Sequence, residues 1–150
     1  MGILDRHKKP GGFRKLVNSI EVTPPEKRNM ILDTMLAEDP IFISDVLRCV
    51  FKFEEFDQIN DMAICELLYH FKEFKTLAVA LHKAPEPLVN KFKKNMAAPQ
   101  AIQFREEVSM VSQIKVSEQL GARYKIIELA RALQVEGKFI LKPYDSKYPD

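Results

Sequence analysis

Apolar residues recur at three- and four-residue spacing along this chain, and prolines punctuate the stripes. Proline lacks a backbone donor and is best tolerated in a first helical turn, so the pattern predicts helices that begin at the prolines. After Gly11-Gly12, the residues Phe13, Leu16, Val17 and Ile20 predict a short helix ending near Val22. Thr23 reads as the next N-cap, with Pro24 in the first turn and Glu26 completing a capping box. That second helix would bury Met30, Ile31, Thr34 and Met35. Asp39-Pro40 opens a third, with Ile41, Val46, Leu47 and Val50 inward. The cluster from Val50 to Phe56 is too short and isolated to pair as a strand, so it reads as an ordered apolar joint. Ile64, Leu67, Leu68 and Phe71 then mark a helix from Asp61, and Leu77, Ala80 and Leu81 a short one after it. Pro85 and Pro87 start a helix with Leu88, Val89, Phe92 and Met96 on one face; Pro99 starts another with Ala101, Phe104, Val108 and Val111. The longest runs from Lys115 to Glu136, with Val116, Leu120, Tyr124, Ile127, Ala130 and Leu133 inward and Gly137 as its C-cap. Phe139, Ile140 and Leu141 would fold back onto the core, and the polar end after 142 would fray. The whole predicts an all-α, armadillo-like stack of about eight helices.

Composition narrows the function classes. At 150 residues and 46% hydrophobic, the chain buries a core without crosslinks or a structural metal. Its 23 basic and 21 acidic residues leave a formal charge of +2, which argues against a nucleic-acid partner. Cys49 and Cys65 have neither disulfide-framework nor zinc spacing, consistent with a reducing cytoplasm. Residues 1–12 carry Arg6, His7, Lys8 and Lys9 where a signal peptide needs an apolar run, and they read as a flexible arm. Met1-Gly2 lacks the Ser or Thr of a myristoylation signal, having Arg6 instead. No stretch approaches the roughly 20 apolar residues of a spanning helix, so direct membrane insertion is not expected.

Nothing assembles by spacing into catalytic chemistry, and the chain is not expected to be an enzyme or to hold a cofactor or metal. His7, His70 and His82 are scattered, and no glycine-rich loop follows a strand. A Cys65–His70 dyad competes with the plainer reading of a buried cysteine and a boundary histidine. The neighbours Glu54-Glu55 and Glu106-Glu107 point about 100° apart on a helix and form no acid–base pair. With Phe104 inward, Glu106 lies about 200° around and Glu107 about 60° to the other side, which makes the first exposed and the second a boundary residue. Lys83, Lys91, Lys93 and Lys94 would set a basic ridge beside these acids, against the alternative of an ordinary solvated face.

From Leu77 to Leu141 the chain resembles the C-terminal domain of the FliG flagellar motor switch family. The resemblance is carried by Leu81–Ala84, Pro87-Leu88, Lys91–Met96, Phe104–Val108 and Glu136–Ile140. Upstream, Gly11-Gly12, Glu26–Arg28, Glu38–Pro40 and Val50–Phe53 are similar to the end of the family's middle domain and its Met-Phe-x-Phe hinge. The resemblance implies a right-handed armadillo-like stack with four parts: an arm at 1–12, a middle-domain-like segment at 13–50, a joint at 51–56, and a C-terminal-domain-like part at 57–150. It implies a cytoplasmic rotor component, peripheral at the inner face of the membrane, that serves motility and chemotaxis. A MotA-like stator cytoplasmic loop and FliM-like rotor proteins are the implied partners. Arg105, Glu106 and Glu107 match the family's Arg-Asp-Asp run, Lys115 matches a following arginine, and Lys83 completes the implied partner-binding set. Val50, Phe51 and Phe53 match the hinge, with Val50 replacing its leading Met. His82 and Pro99 stand where the family has basic residues, and Ser112-Gln113 replaces a Gly-Pro turn. Family members are longer, so the helical segment here would end in an uncovered face. Phe13, Leu16, Val17, Met30 and Ile31 are therefore expected to mediate self-association into a homo-oligomer. The competing function is a helical scaffold or adaptor without a torque role.

Overall fold

The computed structural model describes residues 2–150. Eight α-helices appear among them: α1 (Gly12–Glu21), α2 (Pro25–Glu38), α3 (Pro40–Cys49), α4 (Asp61–Tyr69), α5 (Lys75–Ala80), α6 (Glu86–Lys93), α7 (Ala98–Met110) and α8 (Val116–Val135). Two 3-10 turns, Asp5–His7 and Phe53–Gln58, complete the regular structure, and no strand occurs among the described residues. The fold class is the all-α stack that the periodicity predicts. The chain divides into two compact units, one formed by the stretch up to Phe51 together with Lys142–Asp150, the other by Lys52–Leu141.

In the first unit, α1 and α2 both pack on α3. The core gathers Phe13, Leu16, Val17 and Ile20 from α1, Leu32 and Met35 from α2, and Phe42, Ile43, Val46 and Cys49 from α3. Thr23 does not cap α2; its hydroxyl donates to Ser19 O at 2.6 Å and closes α1, while α2 starts at Pro25. Met30 and Ile31 are exposed, because α2 turns its Leu32/Met35 side to α3. Ile41 and Leu47 are likewise exposed, while Val46 and Val50 are buried as expected and are joined by Phe42, Ile43 and Cys49. Asp39 caps α3 as expected, accepting from Phe42 N at 3.1 Å.

Both terminal segments of the described residues make packing contacts. Leu4 is fully buried, and the Ile3 and Leu4 amides donate to the two Glu38 carboxylate oxygens at 2.8 and 3.0 Å. The segment after 142, expected to fray, is docked: the Tyr148 ring stacks on Phe13 at 4.3 Å and Tyr144 donates to Asn18 at 2.6 Å. A polar, proline-containing segment stays docked because two aromatic rings anchor it.

In the second unit, α8 packs on α5 and α4, α7 rests on α5, and α6 meets α4 and the Phe53–Gln58 turn. Phe53, Phe56 and Phe92 form an aromatic cluster with ring centroids 5.2 to 6.3 Å apart. Glu55 fixes the start of the turn by accepting from Lys52 N at 2.6 Å. Along α8 the interior residues are Ala122, Ile126, Ile127, Ala130, Arg131 and Leu133. Val116 is exposed, and Leu120 and Tyr124 only half-buried. The cause is length: the six-residue α5 is about 9 Å long against about 30 Å for α8, so it covers only part of that helix. Gly137 ends α8 at φ +79°, with its amide on Gln134 O and the Lys138 amide on Leu133 O, the hydrogen-bond pair of a Schellman C-cap.

Candidate protein-interaction surface

The helix α7 is held by very little. Pro99 lies in its first turn, and the Gln100 side chain reaches back to accept from Ala97 N at 2.9 Å. Phe104 is its one buried residue; Gln100, Ala101 and Glu107 are half-buried, while Arg105 and Glu106 face solvent. Side chains of Arg105, Glu106 and Glu107 have no hydrogen-bond or ion-pair partner among the described residues. Charges left uncompensated within the molecule are available to compensate another. Beside them, Lys93, Met96, Ala101, Phe104, Arg105 and Val108 line an open cleft of about 230 Å³.

The flanking cations come from two other places. Lys83 sits in the turn after α5 at φ +57°, the only non-glycine residue with a left-handed backbone among those described. That turn is pinned from α8. Gln119 donates to the carbonyls of Val79, Ala80 and His82 at 3.3, 3.3 and 2.7 Å, and Arg123 Nε donates to Ala80 O at 2.9 Å. A cation there also opposes the negative end of the α5 dipole. Arg123 further lies 4.9 Å over the Phe53 ring and 3.2 Å from Glu54. Sequence reasoning missed Gln119 and Arg123; their one signal is the four-residue spacing that puts both on the same helix face. Lys115 is the exposed N-cap residue of α8.

The basic ridge is thinner than the sequence count suggests. Lys91 and Lys94 lie 2.9 and 3.5 Å from Asp61, which also accepts from Asn95 at 3.1 Å. The Lys91 and Asn95 hydrogen bonds, aided by the charges of Lys91 and Lys94, bring the Asp61 carboxyl down to about 2. Lys83 and Lys93 remain without an ion-pair partner among the described residues.

Other sequence candidates fall elsewhere. Val50, Phe51 and Phe53 are buried; Val50 and Phe51 belong to the first unit, and Phe53 to the second, which begins at Lys52. The Phe51 amide donates to the buried Glu21 carboxylate at 2.7 Å. Phe13, Leu16 and Val17 are buried within the first unit, whereas Met30 and Ile31 are exposed. The Cys65–His70 dyad is not assembled. Cys65 is exposed and lies 3.7 Å from Asn95 O, while His70 pairs with Glu66 at 3.1 Å.

Residues 20–141 match the family model described as the FliG C-terminal domain. The chain belongs to the FliG C-terminal domain family. The FliG flagellar motor switch protein of Aquifex aeolicus is 31% identical over 124 residues, covering 83% of this chain and 37% of that protein. The one from Thermotoga maritima is 26% identical over 127 residues, with 85% and 37% covered. A crystal structure of Helicobacter pylori FliG superposes with a TM-score of 0.64 at 27% identity, covering 86% of this chain and 60% of that one. Full-length Aquifex aeolicus FliG gives 0.55 at 29% identity, with 86% and 40% covered. The chain thus spans a little over a third of the length of the curated relatives it matches. Lys83, Arg105, Glu106, Glu107 and Lys115 all fall inside the FliG match, whereas residues 142–150 lie beyond it. No helix among the described residues is long and apolar enough to cross a membrane.

Proposed function

We propose that this chain is a FliG-like component of a flagellar rotor and switch, acting as a protein–protein interaction module and not through covalent chemistry. The observation that carries the reading is α7: a helix of the FliG C-terminal domain family that presents Arg105, Glu106 and Glu107 with no internal partner. Its partner is a stator cytoplasmic loop of the MotA type, met by charge pairing, with Lys83 and Lys115 flanking the acids. FliM-like rotor proteins are further partners, and Val50, Phe51 and Phe53 act as the hinge. The module works on the cytoplasmic side of the membrane without entering it.

Pairing between exposed charges is screened within about 8 Å at physiological ionic strength, so the contact should be salt-sensitive. The test is calorimetric titration of a stator-loop peptide into the chain at low and high salt. Glu106→Lys combined with Glu107→Lys should weaken binding roughly tenfold or more while far-UV circular dichroism stays unchanged. An affinity indifferent to both salt and charge reversal would overturn the proposal.

A further inference from the structure

The last nine residues form a ligand-like contact that the function above does not use. Tyr148 lies flat on Phe13 at 4.3 Å and 9°, and edge-on to Phe42 at 5.3 Å and 89°. Its hydroxyl donates to Asp45 Oδ2 at 2.7 Å, and Lys147 Nζ reaches the same oxygen at 3.2 Å. Asp45 is a buried carboxylate on α3 whose other oxygen is held by the Arg48 guanidinium. Four residues earlier, the Tyr144 hydroxyl donates to Asn18 at 2.6 Å, and Arg14 lies 4.8 Å over its ring while pairing with Asp150 at 2.9 Å. Lys142 Nζ donates to Val50 O at 2.9 Å. The segment has no helix of its own. It is read by side chains: two rings, two hydroxyls and one buried acid that burial makes costly to leave without donors.

We infer that the α1–α3 face is a recognition groove for an extended Tyr-x-x-x-Tyr segment, with residues 142–150 as resident ligand and the same segment of a second copy as the partner that exchanges with it. Two observations support exchange. The groove and its occupant are separated in sequence by the whole of the second compact unit, so the occupant is a tethered ligand. Every contact described is the same whichever copy supplies the segment, which makes swapping a low-cost route to association. The inference is independent of α7 and its partner.

The test uses the full chain and a fluorescein-labelled synthetic peptide of residues 142–150, followed by anisotropy. In the wild type the tethered end competes at an effective concentration on the order of millimolar, so the peptide should bind weakly. Tyr144→Ala with Tyr148→Ala empties the groove, and the peptide should then bind at least about tenfold more tightly. Adding Asp45→Asn to that variant should return the affinity to the wild-type level or below. Tyr148→Phe, which keeps the ring and loses only the hydroxyl, should lie between wild type and the double variant, and it serves if the double variant folds poorly. Equal peptide affinity in wild type and Tyr148→Phe, or an affinity indifferent to Asp45→Asn, would overturn the inference.

Discussion

Replacing Phe92 with alanine tests the packing that holds the second unit to its own aromatic joint. The Phe92 ring is fully buried, 5.5 Å from Phe56 and 6.3 Å from Phe53 between centroids. Truncating a buried phenylalanine costs about 3–5 kcal/mol through lost transfer energy and the residual cavity. With two ring partners here, a cost of about 4 kcal/mol is expected. Phe92→Leu keeps most of the apolar burial and loses the ring pairs, each of which contributes about 0.5–1.5 kcal/mol beyond area, so it should cost about 1–2 kcal/mol. Two compact units do not guarantee one global transition, so the measurement is native-state hydrogen exchange read on peptides from α4, α6 and α8. Protection there should fall on the order of a thousandfold in Phe92→Ala and about tenfold in Phe92→Leu. A loss under about 1 kcal/mol in the alanine variant, or equal losses in both, would refute the cluster as a source of stability.

Lys83→Gly should separate fold from function. A side chain at φ +57° costs about 1 kcal/mol that glycine does not incur, partly offset by glycine's greater freedom in the unfolded chain. Thermal melts should show unchanged or slightly raised stability while stator-loop affinity falls; a marked loss of stability would show that the lysine side chain supports the fold. The tie between Asp61, Lys91 and Asn95 should respond to acid. The folded carboxyl, at about 2, is depressed below its ordinary 3.8, so its contribution is fully present above 3.8 and is lost as the pH falls from there towards 2. Melting midpoints between pH 2 and 7 should drop more steeply below pH 4 in the wild type than in Asp61→Asn, and parallel curves would refute the tie.

Legibility in the sequence followed how narrow each apolar stripe is. On α7 Phe104 sets the phase, so the exposure of Arg105 and Glu106 and the half-burial of Glu107 follow from 100° per residue, although Val108, read as inward, is exposed and Ala101 and Val111 are only half-buried. On α2 the residues Met30, Ile31, Leu32, Met35 and Leu36 spread around much of the helix, and periodicity then names no unique inward direction. The choice of Leu32 and Met35 is made by α3, a tertiary fact that no local pattern contains. Helix boundaries were readable wherever proline or Gly137 punctuates them. They slipped at Thr23, where one hydroxyl could serve either the end of α1 or the start of α2.

Charge was legible as a count but not as an outcome. Lys83, Lys91, Lys93 and Lys94 look equivalent along the chain, yet Asp61, some thirty residues upstream, engages Lys91 and Lys94 and leaves the other pair unengaged. In the same way Tyr148 reads as a polar, aperiodic chain end until it meets a buried acid more than one hundred residues earlier. Both cases join a short polar side chain to a partner brought near only by helix packing. The sequence therefore sets an upper bound on the charge a surface can present, and the fold decides how much of it remains for a partner. On α7 that subtraction removes nothing, which is why Arg105, Glu106 and Glu107, and not the richer lysine cluster of α6, are the charges to reverse first.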